Sequence, residues 1–550
     1  MSRLKLHEQD TMRSFVDGLG KHFGNIPAIS KYRDERTISY AELPVLALSI
    51  GSFLIGKGLN QGDKVIILGD SCPNWALSYF GITYCGMTAV SILPAFSKPE
   101  VEKIIRHSDA KYIIAGSSHL SKVEDLGMGT ICMDDMKDQK SGEVVLEHKP
   151  TSGDVQKINM MQIKSSDVAS IIYTSGTTGE PKGVMLTHRN LLWNADTCAE
   201  PFIRIHKGWD VLSILPLAHV YEFTIGLLLA LITGCHITYF ARPLAVTPLM
   251  KAFKDVKPHI VLSVPLLIEK VYSKAVAPQI SGDTKIARLL RIPVIRYFVY
   301  RAIGHKLIVN FGGRLRFFGV GGAPLDKEVE AFLHKAHFPY ALGYGMTETS
   351  PFIAGCGPSF QKVGTLGPVL EGVEVRIDPD TGEIQTRSPA VMKGYYKNPA
   401  LTAEVMTSDG WIKTGDVGYF KGKRLVISGR IKEMILTASG ENIFPEAIES
   451  MLNHMDFVEE SLIIPEDGKL LALIKLDMAS FVSSFKGRVG DEKERALSYI
   501  QELREKINSV LPSNSRINEV EIQETPFERT PTSKIKRLAI IMSRKKNKKQ

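Results

Sequence analysis

Apolar positions in the first three quarters of the chain gather into short unbroken runs, among them KVIILG at Lys64, KYIIAG at Lys111, VASIIYTSG at Val168, HIVLSV at His259 and LRFFGVGGA at Leu315. Segments of helical character lie between them. Continuous Val- and Ile-rich runs of this length read as strands covered on both faces. Their alternation with helices predicts an α/β class, with a large N-terminal domain of parallel-rich sheets packed with helices. Several runs end in Gly-rich or Ser/Thr-rich loops, where ligands bind in sheets of this kind.

The pattern changes after Gly429. Pro445 opens a short helix, LIIPEDGKLLALIKL reads as paired strands, and Leu497, Ile500, Ile507 and Leu511 recur at helical spacing before the stop at Pro512. This predicts a separate small α+β domain. The expected division is 1–429, a hinge at 430–432, a C-terminal domain at 433–543 and a basic tail at 544–550. Phe223 to Phe240 has 18 residues without a formal charge, enough to test as a membrane span. Gly234 splits it into TIGLLLALIT and CHITYF, so a buried helix followed by a buried strand is expected instead.

Composition narrows the classes. The chain has 550 residues, 44% apolar and 23% charged, too much for one core and too apolar for a disordered protein. Net charge is +9, and five cations among the last seven residues account for more than half of it. Those cations have no interleaved aromatics to stack bases, so no nucleic-acid partner is expected. Six dispersed cysteines without a CxxC point away from a disulfide framework or a zinc site. The N-terminus lacks an apolar signal core, and a cytoplasmic location is expected.

The most informative string is YTSGTTGEPKGVMLTH, Tyr173 to His188. Small residues and hydroxyls let backbone N–H and side-chain O–H groups close around phosphate oxygens, with Lys182 to offset their charge. It is no Walker A loop. Counted from Gly176, Pro181 falls where glycine is required and Gly183 where Ser or Thr must bind magnesium.

The string resembles the signature loop of the adenylate-forming superfamily, which includes acyl-CoA synthetases, peptide-synthetase adenylation domains and firefly luciferase. GVGGAPL at Gly319, GYGMTETS at Gly343, GYYKNPALTAEVMTSDGWIKTGDVG at Gly394, GRIKEMILTASGENIFPEAIE at Gly429 and RTPTSKIKR at Arg529 follow in the family's order. The resemblance implies ATP, Mg2+ and coenzyme A. It places Thr174, Ser175, Gly176, Thr177, Thr178, Gly179 and Lys182 on the β and γ phosphates, and Glu348 on the metal with Thr347 beside it. Gly321, Gly322 and Ala323 would line the adenine site, Gly343, Gly345 and Met346 would belong to the nucleotide and magnesium segment, and Tyr344 would lie against the adenine. Asp416, supported by Arg430, would hold the ribose, and Lys534 would reach the carboxylate and the α-phosphate. Lys432 falls at the hinge of a mobile C-terminal domain, and Ser439 and Gly440 where a loop meets pantetheine. Ser533 stands where the family most often has glycine.

LPLAHVYEF, Leu215 to Phe223, resembles the version in long-chain fatty acyl-CoA synthetases, where the histidine, here His219, borders the acyl pocket. The expected function is an AMP-forming acid:CoA ligase for a medium- or long-chain fatty acid. The alternative is delivery of the acyl group to an acyl carrier protein. Residues 285–306 carry six Lys or Arg and no acid among many apolar residues, so weak peripheral membrane association at the inner face is expected at most.

Overall fold

The computed structural model describes residues 3–175, 181–199, 202, 204–240, 246–436, 442–466, 469–484, 492–530 and 535–547. Two eight-stranded sheets and a four-stranded one share a large apolar core running from Met12 to Leu425. One eight-stranded sheet has the order Gly394–Tyr395, Pro181–Thr187, Val168–Ser175, Thr88–Ile92, Lys64–Leu68, Ala110–Ala115, Gly129–Cys132 and Lys137–Asp138. The other runs Phe352–Gly355, Tyr340–Gly345, Phe317–Val320, Ile260–Ser263, Asp210–Ser213, His236–Tyr239, Pro27–Lys31 and Thr37–Ser39. Central strands are parallel, whereas the outermost ones and the pair Val168–Ser175 with Pro181–Thr187 are antiparallel. The α/β reading holds. Helices and strands come from the runs that the hydrophobic pattern marked, and local caps set several helix starts. Ser97 with Glu100 and Thr187 with Asn190 each form reciprocal side-chain caps.

A second apolar core begins at Ile435 and continues to Val520, built on the strands Val458–Glu466, Lys469–Leu476 and Glu519–Ile522 and the helix Glu492–Asn508. The paired strands appear where LIIPEDGKLLALIKL placed them. Along the helix Ile500, Leu503 and Ile507 are buried, but Leu497 is exposed. That corrects the expected apolar stripe: Leu503 takes the inward position and Leu497 faces out. Arg544 belongs to the helix Arg537–Asn547 and pairs with Glu466 at 3.0 Å and Glu521 at 2.9 Å.

The two cores meet at Asp326. This residue caps the helix Lys327–Lys335, accepting from the amides of Glu328 and Val329. It also accepts from Ser450 Oγ at 2.9 Å and pairs with His454 Nε2 at 2.9 Å, both at the end of the helix Pro445–Asn453. The uncharged stretch after Phe223 is the expected helix and strand, with one difference. Glu222–Leu229 winds as a π-helix before Ala230–Ile232, and the strand His236–Tyr239 follows. No helix among the described residues is long and apolar enough to cross a membrane.

Candidate active site

The two strands that flank the phosphate-loop candidate pair with each other. Val168–Ser175 and Pro181–Thr187 are antiparallel, and Thr174 pairs directly with Lys182. Gly176, Thr177, Thr178 and Gly179 lie outside the described residues. On its far edge Pro181–Thr187 pairs with Gly394–Tyr395, through Met185 with Gly394 and Val184 with Tyr395.

That two-residue edge strand carries Glu348 to the hairpin. The Tyr395 hydroxyl donates to Glu348 Oε1 at 2.7 Å, and the Met392 amide donates to the Glu348 carbonyl at 2.8 Å. A second brace comes from the helix His188–Thr197 that follows the hairpin. Asn194 donates to the Phe352 carbonyl at 3.0 Å and accepts from its amide at 3.1 Å, tying the first sheet to the edge of the second. Lys182 Nζ lies 5.5 Å from the centre of the Tyr395 ring. Burial, and then Lys432, hold the Lys182 ammonium below its usual range, while Glu348 and Glu404 act the other way. Lys182, Lys432 and Glu348 therefore share one electrostatic neighbourhood.

A second cluster holds Tyr344, Asp416 and Arg430. Asp416 and Arg430 face each other across the strands Ile412–Lys421 and Arg424–Arg430, with Nε to Oδ1 at 3.0 Å. The buried Tyr344 hydroxyl donates to Asp416 Oδ2 at 2.8 Å. Tyr344 reaches this position from a strand whose glycines permit close packing. A Cβ on Gly343 would lie 2.4 Å from the Phe352 ring, and one on Gly345 would lie 1.7 Å from the Pro351 carbonyl oxygen. Met346 donates its amide to that same oxygen, and Thr347 and Glu348 follow in a 3-10 turn. Gly321, Gly322 and Ala323 form the loop after Phe317–Val320. Gly322 has φ of +85°, a left-handed value that favours glycine, and a Cβ on Gly321 would touch the Tyr221 ring.

Between these loops lies a small apolar cavity of about 10 Å³, bordered by Tyr221, Ile225, Phe317, Gly319, Gly343 and Phe352. His219 precedes this wall, and its Nδ1 accepts from the Tyr221 amide at 3.3 Å. Glu222 was not singled out in the sequence, although LPLAHVYEF contains it. It is buried, neither carboxyl oxygen has a hydrogen-bond partner among the described residues, and burial pushes its pKa up to about 8. The carboxyl folds over Gly226, where a Cβ would lie 2.6 Å from Oε1. Tyr395 was also missed, since a tyrosine in GYY carries no signal that it binds an acid 47 positions earlier. Lys432 lies in a 3-10 turn just past Arg430, and Lys534, Ser439 and Gly440 fall outside the described residues.

The sequence model of the AMP-binding enzyme family matches residues 19–396. The chain belongs to the AMP-binding enzyme family. This AMP-binding enzyme is 30% identical to a long-chain-fatty-acid–CoA ligase of Mycobacterium bovis, over 92% of this chain and 90% of the relative. It is 29% identical to 4-coumarate–CoA ligase 1 of Arabidopsis thaliana, over 80% of this chain and 78% of that one. Its fold is like that of o-succinylbenzoate CoA synthetase from Bacillus subtilis, solved with its acyl-adenylate, at a TM-score of 0.76 and 21% identity, covering 97% and 98% of the two chains. ATP-bound MatB from Rhodopseudomonas palustris is similar at a TM-score of 0.76 and 22% identity, covering 97% of this chain and 99% of that one.

Proposed function

We propose that this protein is an ATP-dependent, AMP-forming acid:CoA ligase whose substrate is a medium- or long-chain fatty acid. Family membership and the CoA ligases among its relatives support the ligase class. The observation that carries the chemistry is the convergence of Thr174, Lys182 and Glu348 through the strand at Tyr395.

The first step joins two anions, a carboxylate and the α-phosphoryl group of ATP, so fixed positive charge must offset their repulsion. Thr174 to Gly179 and Lys182 hold the β and γ phosphates, and Lys534 bridges the carboxylate and the α-phosphate. The carboxylate oxygen bonds to the α-phosphorus as pyrophosphate leaves. Asp416 accepts from the ribose hydroxyls, and Arg430 keeps that carboxylate in place. Among the described residues no three His, Cys, Asp or Glu side chains cluster as a metal cage. A single carboxylate at Glu348 suits magnesium, which takes one or two protein carboxylates and draws its other ligands from phosphate and water. When bound, the ion neutralises developing charge on the leaving pyrophosphate. Tyr395 holds the Glu348 carboxylate in the orientation this needs.

In the second step a thiolate attacks the acyl carbon and AMP departs. Lys534 would obstruct the thiol, so we assign Arg430 to Lys432 as the hinge about which residues 433–543 turn, bringing Ser439 and Gly440 to the pantetheine arm.

The long-chain relative supports a fatty acid. The 4-coumarate ligases among the relatives keep aromatic acids in the test. A panel of acids from acetate to oleate with 4-coumarate, reading pyrophosphate with and without CoA, should peak at medium or long chains and depend on CoA for thioester. Turnover only with aromatic acids would overturn the substrate, and thioester formed only on acyl carrier protein would overturn the acceptor. Lys534→Ala should cut pyrophosphate release by about 10²–10³-fold with ATP binding kept. Unchanged turnover would remove its role.

A further inference from the structure

Among the described residues, an apolar surface is left largely uncovered by the rest of the chain. In the pair of helices Lys285–Leu290 and Pro293–Asn310, every residue from 291 to 298 is exposed. Val294 is 73% exposed, Phe298 64%, Ile292 and Tyr297 47%, and Leu289 42%. Monomeric proteins rarely leave so many large apolar side chains together in water. The second half of the longer helix is docked normally. Leu307 is buried, and Gly304 passes so close to the helix Lys327–Lys335 that a Cβ would lie 1.9 Å from the Ala336 carbonyl oxygen. The first half is held more lightly: the Tyr297 ring meets that of His337 edge-on at 5.7 Å between centroids, while Val294 and Phe298 lie open.

Charge follows the same boundary. Arg291, Arg296 and Arg301 are interleaved with the apolar side chains, and no acid occurs between Thr284 and Leu325. Asp283 just before it neutralises Arg288, at 2.5 Å.

We propose that the tip formed by residues 288–298 docks on an anionic lipid bilayer. Its apolar side chains enter the interface, and its arginines remain at the level of the lipid phosphates. Charge favours lipid over protein, because a basic surface with no acid to offset it suits an anionic headgroup layer. Successive residues turn by roughly 100°, so Val294, Ile295, Tyr297 and Phe298 fall within an arc of about 160°, one apolar face that can lie in the plane of the interface. Arginine stems are long enough to cross the apolar layer with the guanidinium at the headgroups. The docking is peripheral, and it stands whichever acid the active site accepts.

The test uses the full chain and flotation with vesicles of phosphatidylcholine alone or equimolar with phosphatidylglycerol. The protein should float with the anionic vesicles and stay behind with the neutral ones. Val294→Ser with Phe298→Ser, and separately Arg291→Glu with Arg296→Glu, should each reduce the bound fraction by about tenfold. All four side chains are exposed, so thermal midpoints and turnover of soluble acid without vesicles should match the parent. A chain ending at Arg544 should keep most of the binding, which separates this tip from the lysines after it. Absence from anionic vesicles, unchanged binding in both double variants, or loss with the shortened chain alone would overturn the proposal. So would a parent dimer that the Val294/Phe298 variant converts to monomer, since a second copy would then own the surface.

Discussion

Asp416 and Glu222 are both buried acids in the large core, and they are provided for in opposite ways. Asp416 is 5% exposed, pairs with Arg430 at 3.0 Å and accepts from Tyr344 at 2.8 Å. Glu222 is 1% exposed, and both of its oxygens lack hydrogen-bond partners among the described residues. The Ser213 hydroxyl beside it offsets the burial only in part, and the Tyr239 hydroxyl nearby has no hydrogen-bond partner among the described residues. A buried charge persists when a partner offsets its lost hydration; without one the group takes up a proton. The first site therefore holds its carboxylate in place. The second keeps a neutral acid in the wall behind Tyr221 and Ile225, with no ion pair to it among the described residues.

The largest effect expected from this contrast comes from removing the partner of the provided acid. Arg430→Met leaves Asp416 buried with only a phenol. Breaking a buried pair costs about 3–5 kcal/mol, and because the Arg430 side chain is 43% exposed the loss should be nearer 2 kcal/mol, read from urea unfolding. Glu222→Leu, by contrast, should be neutral or stabilising. A large loss there would mean that Glu222 has partners after all, such as ordered water.

The contrast also has a pH signature. The folded-state pKa of Glu222 lies at about 8 against an ordinary 4.5, so the folded chain binds this proton more tightly than the unfolded one. Its contribution is then full below 4.5, falls as pH rises through about 8, and is level beyond. Glu222→Gln should flatten that decline between about pH 5 and pH 8 in paired urea titrations. An unaltered slope would place the proton elsewhere.

Tyr395→Phe tests an intermediate case, a half-buried carboxylate held by one phenol. Stability should fall by only about 1 kcal/mol. Turnover should fall roughly tenfold, and added magnesium should recover much of it if the hydroxyl orients a metal-binding carboxylate. A loss insensitive to magnesium would leave Tyr395 a purely structural brace.

These acids also mark how far the sequence could be read. The strands, the hairpin that carries Lys182 and the pairing of Asp416 with Arg430 lie in local patterns or in one long ordered motif. Tyr395 does not, because its partnership arises when a two-residue strand joins the edge of a sheet. Glu222 sits one position before the uncharged run at Phe223, and sequence does not show whether such a charge turns to solvent or to the core. That run is apolar on every side, so it has no periodicity from which a π-helix could be told from an α-helix. Leu497 failed for the opposite reason: it matched the helical period, but Leu503 occupies the inward face.

The smallest effect belongs to Asp326, a provided acid between the two cores. It pairs with His454, and that contact raises the His454 pKa to about 9 from an ordinary 6.5. A raised histidine stabilises while protonated, so the contact is full below 6.5 and lost as pH rises through about 9. This window overlaps that of Glu222 and has the same sign, so overall stability cannot separate them. Position can, because Asp326 joins two bodies and Glu222 lies within one. His454→Gln should leave the slope assigned to Glu222 intact while weakening the interdomain contact by about 1 kcal/mol, the scale of a partly exposed ion pair. Donor and acceptor dyes on the two domains should report a pH-dependent distance in the parent that the variant lacks. A parent distance that does not change between about pH 6 and pH 9 would show that other contacts hold the domains together.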